Sequence, residues 1–346
     1  MDVLSAQTRT ASRSGERRDS LSIIVPLYNE EAVLPDFHRR MTAVLDAIEA
    51  DAELIYVNDG SRDQTMAMLT ALHDGDARVA VIELSRNFGK EIAMSAGLDA
   101  ARGDAVVLID ADLQDPPELI PEMLKRWREG SDVVLMRRRS RAQESWLKKT
   151  TARAFYGAMG SIGTIDIPAD VGDFRLLSRR AASALRQFPE RTRFMKGLFA
   201  WIGFPTSEIE YDRDGRYAGE TKWNYWRLWN FALEGITSFS VVPLKLASYA
   251  GLVTALIAFG YGIKVIVKTL LFGDPVAGYP TLVTLVLFLG GLQLMALGLI
   301  GEYLARMFIE VKQRPLYLVQ RHLRSGVSIA PPVESLPERL PQWPSR

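Results

Sequence analysis

The stretch AVVLIDADLQDPP, residues 105–117, decides the fold class. Its apolar run ends at Asp110, and a second carboxylate follows at Asp112. A short apolar run bounded by polar residues predicts a buried strand. In extended backbone, residues i and i+2 point the same way, so both carboxylates can face one ion. The stretch therefore predicts a strand that delivers two carboxylates to one place.

The segments upstream and downstream repeat this strand pattern in alternation with helical patterns. Further strands are predicted at 21–27, 53–57, 79–84 and 132–135, and helices at 30–50, 63–73, 89–101 and 116–129. Strands that alternate with helices favour a parallel sheet with helices on both faces. The predicted fold class is α/β, with a Rossmann-like, mostly parallel sheet.

Polar residues follow four of the predicted strands. The segments are PLYNEE at 26–31, NDGSRD at 58–63, SRNFGK at 85–90 and DADLQD at 110–115. Ligands of such sheets bind at the carboxyl ends of the strands. One acidic turn would be explained by helix capping, but four polar strand ends along one edge indicate a binding site.

Composition and motifs exclude several classes of site. Lys and Arg number 42 against 41 Asp and Glu, so no net charge favours nucleic acid. The chain has no cysteine and only three histidines, which excludes thiolate chemistry and makes a histidine metal site improbable. Neither a G-x-G-x-x-G turn nor a phosphate-binding G-x-x-x-x-G-K-[ST] loop occurs. If phosphates bind, Mg²⁺ or Mn²⁺ held by carboxylates is the expected neutralising group.

Two stretches near the C-terminus, 246–263 and 275–301, carry no charge. Each approaches the about 20 residues that a membrane-spanning helix needs, the first if Lys264 and Lys268 extend to the interface. A transmembrane hairpin is predicted at 244–304. Arginines and lysines flank the hairpin on its outer sides, so both chain ends are predicted to be cytosolic, in a multi-pass protein of the cytoplasmic (inner) membrane.

The remaining segments predict tails and interfacial helices. Residues 1–20 are polar and lack the apolar core of a signal peptide, so they predict a disordered tail. Trp223, Trp226 and Trp229 recur every third position just before the hairpin, which favours an interfacial amphipathic segment at 223–243. A second such helix at 145–161 and an aromatic core stripe remain open alternatives. Residues 305–346 are predicted to form a cytosolic tail.

The four strand-end motifs together resemble the family 2 inverting glycosyltransferases of GT-A fold. The GETKW segment at 219–223 and the C-terminal hairpin resemble the polyprenyl-phosphate branch, which includes bactoprenol glucosyltransferases and dolichol-phosphate mannose synthases. The resemblance covers about residues 20–320. It implies a cytosolic GT-A domain at 21–222.

The resemblance also implies roles for individual residues. It assigns the donor nucleotide to Pro26, Tyr28, Glu30, Asp59, Ser61 and Asp110. It assigns the metal, Mg²⁺ or Mn²⁺, to Asp110, Asp112 and Gln114, which together with Arg138 form the catalytic set. It assigns the acceptor phosphate to Arg138, Arg216 and Lys222, and leaves Arg153 and Arg175 without a role.

The implied activity is inverting transfer of a hexose, glucose from UDP-glucose, to undecaprenyl phosphate at the cytosolic membrane face. The resemblance also suggests a homotetramer, and a separate flippase and downstream transferase would act on the product. A processive polysaccharide synthase is one alternative, but Lys125-Arg126-Trp127 matches only the end of its Q-x-x-R-W motif. A non-enzymatic scaffold is another, and it would not need the carboxylates.

Overall fold

A computed structural model describes residues 18–139, 171–191, 193, 195–212, 242–272 and 278–327. Several predictions concern residues outside these ranges. They are the predicted tail up to residue 17, the interfacial segment at 145–161, and the interfacial segment at 223–243 except for residues 242 and 243. Arg153, Arg216 and Lys222 also lie outside the described residues.

The centre of the protein is one mixed sheet of eight strands in the order β7-β5-β6-β4-β1-β2-β3-β8. The strands are β1 Ser20–Leu27, β2 Asp51–Asn58, β3 Val79–Leu84, β4 Ala105–Leu108, β5 Val133–Arg138, β6 Val171–Ser178, β7 Thr206–Tyr211 and β8 Val319–Leu323. Strands β4, β1, β2 and β3 are parallel neighbours. The predicted α/β class is therefore confirmed.

Strand β6 is the main departure from the predicted sheet. It lies between β4 and β5 and runs antiparallel to both. Its polar residues Asp173 and Arg175 interrupt the apolar run, which is why the sequence pattern did not predict it. Strand β5 also continues three residues beyond the predicted end at 135, so Arg137 and Arg138 belong to the strand.

Helices cover both faces of the sheet. The helices are α1 Leu34–Ala47, α2 Thr65–Gly75, α3 Lys90–Ala100, α4 Ile120–Arg128, α5 Arg179–Arg186 and α6 Met195–Trp201, and a 3₁₀ turn at Pro117–Leu119 precedes α4. Helix α1 begins four residues later than predicted because the carbonyl of Glu30 accepts the N–H groups of Val33 and Leu34 in a turn. The sequence pattern did not separate that turn from the helix.

Alternating side chains of the strands build the two halves of the core. On β1, Leu21, Ile23 and Val25 belong to the buried cluster that includes α1 and α4, whereas Ile24 belongs to the cluster that includes α3 and α5. Helix α3 packs unusually close to β1: a Cβ on Gly97 would lie 2.3 Å from Cγ2 of Ile24. These contacts fix the position of the α3 N-terminus, which lies beside the site described below.

Two long helices follow, α7 Val242–Phe272 and α8 Tyr279–Lys312. Their positions agree with the predicted hairpin, but α8 ends beyond the predicted limit of 304. Within the described residues, one segment, Phe288–Lys312, is long and apolar enough to cross a membrane, by length and composition, and the apolar stretch Gly251–Tyr261 of α7 is shorter. The expectation of two spanning helices is therefore supported for one helix only.

The chain after α8 returns to the central sheet. Strand β8 pairs antiparallel with β3. Just beyond it, the hydroxyl of Ser325 accepts a hydrogen bond from Arg102 at 2.7 Å and donates one to the buried Glu53 at 3.2 Å. The carboxylate of Glu53 also accepts hydrogen bonds from Arg102 Nη2 at 2.6 Å and from Ser22 Oγ at 2.6 Å. This carboxylate therefore joins β1, β2, the α3–β4 turn and the C-terminal segment.

We expect Glu53→Gln to lower the free energy of unfolding by about 2 kcal/mol, because a buried carboxylate bonded to an arginine is replaced by a neutral amide. Asp46→Asn is the matched control. Asp46 also binds an arginine, Arg78, at 2.7 Å, but its side chain is 65% exposed. The control should therefore change stability by less than about 0.5 kcal/mol. Urea unfolding in detergent measures both, and equal effects would contradict the role given to Glu53.

Candidate active site

A cavity of about 350 Å³ lies at the carboxyl ends of the central strands. It is lined by Pro26, Leu27, Tyr28, Glu30, Asp59, Asn87, Gly89, Lys90, Ala93, Asp110, Ala111 and Asp112. Six of the residues predicted from the sequence are in this set. The edge of the sheet that the four motifs indicated therefore contains one continuous site.

The loops after β1 and β2 are joined by hydrogen bonds between backbone and side chains. Ser61 Oγ accepts the N–H of Asn29 at 2.9 Å, and Asn29 Oδ1 accepts the N–H of Arg62 at 2.8 Å. The N–H of Glu30 donates to Thr65 Oγ1 at 3.0 Å. Asn29 adopts a left-handed conformation with φ 55°, which asparagine tolerates better than most residues. Ser61 thus supports the cavity wall instead of lining it.

Asp59 is buried and holds the loop after β3. Its two carboxylate oxygens accept the N–H groups of Phe88 at 2.7 Å and Gly89 at 2.8 Å. Burial raises its pKa, and the two amide hydrogen bonds act in the opposite direction. The loops approach so closely that a Cβ on Gly60, which has φ +68°, would lie 2.5 Å from the carbonyl carbon of Arg86. The structure therefore gives Asp59 a positioning task, and its contact with a nucleoside stays a prediction.

Lys90, the first residue of α3, bridges two carboxylates from adjacent strands. Its Nζ lies 2.7 Å from Asp110 Oδ2, at the end of β4, and 2.5 Å from Asp173 Oδ2, near the start of β6. Burial opposes the charge on Lys90, but the two carboxylates outweigh it and raise the pKa of the ammonium. Burial likewise raises the pKa of Asp173, and Lys90 and Lys196 more than reverse this, so the pKa of Asp173 is lowered. The ion pairs keep Lys90 and Asp173 charged.

Asp112 lies two residues beyond Asp110 and lines the same cavity. One oxygen of Asp112 accepts the N–H of Gln114 at 3.1 Å, across Leu113, whose φ of 58° is rare for a residue with a large side chain. Gln114 is only 7% exposed and is not among the residues that line the cavity. The D-x-D turn therefore presents Asp110 and Asp112 together, but not Gln114.

The two carboxylates fit a divalent cation of the magnesium type. Such ions are usually held by one or two carboxylates, with water and substrate phosphates as the other ligands. Among the described residues, no cluster of three or more acidic or histidine side chains could hold a metal by itself. Asp110 and Asp112 are therefore a donor pair that such an ion could share with water or phosphate oxygens.

Arg138 lies at the end of β5, within a second polar cluster. The hydroxyl of Tyr211 donates a short hydrogen bond to the buried Asp115. Burial lowers the pKa of Arg138, but its hydrogen bond with Tyr211 and the nearby carboxylates of Asp115 and Asp173 raise it overall. The Nε atom of Arg138 is buried and has no hydrogen-bond partner among the described residues. Arg138 is thus a cation with an unused donor near Asp115 and Asp173, and it does not line the cavity.

Arg175 is buried and serves the interior of the fold. Its guanidinium donates to the carbonyl of Gly172 at 2.6 Å and stacks over the ring of Phe199 at 3.7 Å from the ring centroid. Burial lowers the pKa of Arg175 to about 10. These contacts anchor the start of β6 and so position Asp173.

Sequence reasoning missed Asp173, Asp115, Tyr211 and the role of Lys90. Lys90 stands inside one of the four polar strand ends, so its position alone could have marked it as a site residue. Asp173 gave no such signal, because it lies at the start of a strand. It reaches the edge only because β6 runs antiparallel to β4.

Comparison with known proteins agrees with this geometry. The glycosyl transferase family 2 model matches residues 22–186, and the GtrB C-terminal hairpin model matches residues 242–307. An uncharacterized glycosyltransferase of Synechocystis is 52% identical over 86% of this chain and 94% of its own length. The SfII prophage-derived bactoprenol glucosyl transferase of Shigella flexneri is 46% identical over 88% of this chain and 99% of its own.

Among solved structures, glucosyl-3-phosphoglycerate synthase from Mycobacterium tuberculosis, in complex with Mn²⁺ and UDP-glucose, matches with a TM-score of 0.42 and 20% identity. The match covers 63% of this chain and 77% of that one. The relatives at 46% and 52% identity, which the chain covers almost completely, decide the assignment. The chain belongs to glycosyl transferase family 2 and carries the GtrB C-terminal hairpin.

Proposed function

We propose that the protein transfers one hexose, glucose from UDP-glucose, to a polyprenyl phosphate at the cytosolic face of the membrane, with inversion at the anomeric carbon. The observation that carries this proposal is the cavity at the strand ends, in which Asp110 and Asp112 face the space lined by Tyr28 and Glu30. Supporting it, relatives named bactoprenol glucosyl transferase match the chain over nearly their whole length.

Different residues of the cavity are proposed to contact different parts of the donor. Pro26, Tyr28 and Glu30 are proposed to contact the nucleoside, because they lie at the end of the cavity formed by the loop after β1. Tyr28 is 43% exposed, so its ring is available for stacking on a base. Asp110 and Asp112 are proposed to hold Mg²⁺ or Mn²⁺, which when bound would neutralise the diphosphate and stabilise it as the leaving group.

The acceptor needs no enzymatic base. A phosphate monoester has a second pKa of about 6, so at neutral pH it is largely a dianion and already a nucleophile. What it requires is cationic positioning against an anionic donor. Arg138 supports this role, because its charge is maintained and its Nε has no partner among the described residues. Arg216 and Lys222, outside the described residues, stay candidates for the same role.

The helical hairpin is proposed to anchor the protein in the cytoplasmic membrane with both termini in the cytosol. In favour of this, many large apolar side chains of α7 and α8 are exposed, including Leu270 at 81% and Phe272 at 80%. Water would make such surfaces unfavourable, whereas lipid would cover them. We also propose that the protein forms a homotetramer. A separate flippase and a second transferase are proposed to act on the product.

The first prediction of the proposed function concerns the metal. Asp112→Asn should lower transfer by at least about 100-fold, because loss of a charged ligand weakens stabilisation of the leaving diphosphate. Asp74→Asn, at an exposed position of α2, is the control and should retain activity. Transfer of labelled glucose into extractable lipid measures both, and a chelator should abolish the wild-type signal. A folded Asp112→Asn variant with nearly normal transfer would show that the metal is held elsewhere.

Product stereochemistry and pH dependence form the second prediction. An α-linked donor should give a β-linked lipid, because a single in-line displacement inverts the anomeric carbon. The rate should rise through about pH 6 and then level off, as the acceptor phosphate ionises. Anomeric NMR couplings and a pH–rate profile measure these outcomes. An α-linked product would exclude the mechanism.

Topology gives the third prediction. Because the chain has no native cysteine, single cysteines can be labelled without background. Gly278→Cys, at an exposed position between α7 and α8, should react with an impermeant maleimide in intact cells. Ala71→Cys, exposed on α2, should react only after permeabilisation. The opposite pattern would place the catalytic domain away from its cytosolic donor.

Chain-length analysis of the product would separate transfer of one sugar from the action of a processive synthase. A protein that transfers no sugar would favour the scaffold.

A further inference from the structure

The ammonium of Lys90 binds one of the two carboxylates that are proposed to hold the metal. Lys90, Asp110 and Asp112 all line the cavity at the strand ends. The Nζ atom of Lys90 lies 2.7 Å from Asp110 Oδ2, and among the described residues no other cation forms an ion pair with Asp110. A divalent cation bound by Asp110 and Asp112 would therefore share the carboxylate of Asp110 with a lysine.

A second carboxylate, that of Asp173, holds the ammonium in this place. Asp173 Oδ2 lies 2.5 Å from Lys90 Nζ, whereas its Oδ1 is buried and has no hydrogen-bond partner among the described residues. Lys196 acts on Asp173 only through the longer-range attraction of its charge. Asp173 does not line the cavity. Its carboxylate therefore faces the ammonium from the side away from the donor.

The main chain of Lys90 is anchored on both sides. Asp59 accepts the N–H groups of Phe88 and Gly89, the two residues before Lys90. After Lys90, helix α3 packs closely on β1 at Gly97. The part of Lys90 that can move is its side chain, which is 40% exposed and uses two of its three N–H donors on Asp110 and Asp173.

An ammonium in this position opposes the binding of a second cation. Like charges that are close together in a partly buried site repel one another strongly. The ammonium of Lys90 also offsets one of the two negative charges that Asp110 and Asp112 would offer to a divalent cation. A diphosphate changes this balance, because its oxygens are metal ligands and its charge compensates the ammonium. Asp110 and Asp112 should therefore attract a divalent cation much more strongly when a diphosphate is bound.

We propose that Lys90 is an internal competitor of the divalent cation. Its ammonium weakens metal binding to Asp110 and Asp112 until a nucleotide diphosphate is present, so that metal and donor bind together. The inference rests on the metal assignment of the proposed function and deepens it. Lys90 then has a positioning role, because it controls when the metal is held. Since linkage is reciprocal, the metal must raise the affinity for the diphosphate by the same factor.

The test measures Mn²⁺ binding to the full-length protein in detergent and does not depend on sugar transfer. Electron paramagnetic resonance of unbound Mn²⁺ gives the Kd with and without UDP. Without UDP, Lys90→Gln should lower the Kd for Mn²⁺ by at least about 10-fold, because a positive charge beside the two carboxylates is removed. The further decrease in Kd that UDP causes should be smaller in Lys90→Gln than in the wild type.

Two other variants separate this effect from general ones. Asp173→Asn should raise the Kd for Mn²⁺ by about 10-fold, because the ammonium is then left to Asp110 alone. Lys125→Gln, at an exposed position of α4 outside the cavity, removes the same charge and should leave the Kd unchanged. Loosened packing would weaken binding in Lys90→Gln and in Asp173→Asn alike, so shifts in opposite directions identify the competition.

An unchanged or raised Kd without UDP in a folded Lys90→Gln protein would overturn the inference and leave metal-dependent transfer intact. If Lys90→Gln does not fold, Asp173→Asn decides the question, because a Kd equal to or below that of the wild type would contradict the competition. Mn²⁺ binding in the presence of UDP that is unchanged in Asp112→Asn would instead overturn the metal assignment of the proposed function. Absence of Mn²⁺ binding by the wild type with UDP would do the same.

Discussion

The ion pairs that Lys90 makes with Asp110 and Asp173 are the constraint on which the site depends. Each carboxylate lies at the edge of the sheet, with side chains 23% and 15% exposed, and the two come from neighbouring strands. Without a cation between them, two carboxylates so close would repel, and one would have to bind a proton. Lys90 reduces that repulsion with one ammonium, but burial still raises the pKa of Asp110, and the nearby Asp173 adds to this rise. Because Lys90 begins α3, the position of this helix on the sheet controls the charge balance of the whole edge.

The position of α3 follows from packing far from the charges. Gly97 allows the helix to approach Ile24 of β1, and a larger residue there would displace α3 along with Lys90. From the other side, Asp59 binds the N–H groups of Phe88 and Gly89, the two residues before Lys90. The buried carboxylate of Asp59 and the missing Cβ of Gly97 therefore act together. Both determine where the ammonium of Lys90 meets its two carboxylate partners.

This arrangement explains which parts of the site could be predicted from the sequence. The strand-end motifs are local: a strand and the turn that follows it are contiguous in the sequence, so Asp110, Asp112 and Glu30 could be placed at one edge from the pattern alone. Asp173 could not, because only the antiparallel insertion of β6 brings a strand start to this edge. Gln114 belongs to a local motif, but the left-handed Leu113 redirects the chain after Asp112. Strand β8 is a short, mostly exposed edge strand with no apolar run, and nothing nearby in the sequence indicates its pairing with β3.

The return of the chain from α8 to the sheet links membrane attachment to the site. Strand β8 pairs with β3, and Ser325 joins Glu53 and Arg102 on the side of the domain where β1 and β2 begin. The end of α8 is held separately, through Arg191. The hairpin is thus attached to the domain at two places. A single tether would let the domain turn relative to α8. Two attachments remove that freedom, so α8 and the edge of the sheet keep one relative orientation. In the proposed reaction the acceptor phosphate is already ionised, so fixed orientation is the contribution that the protein would make.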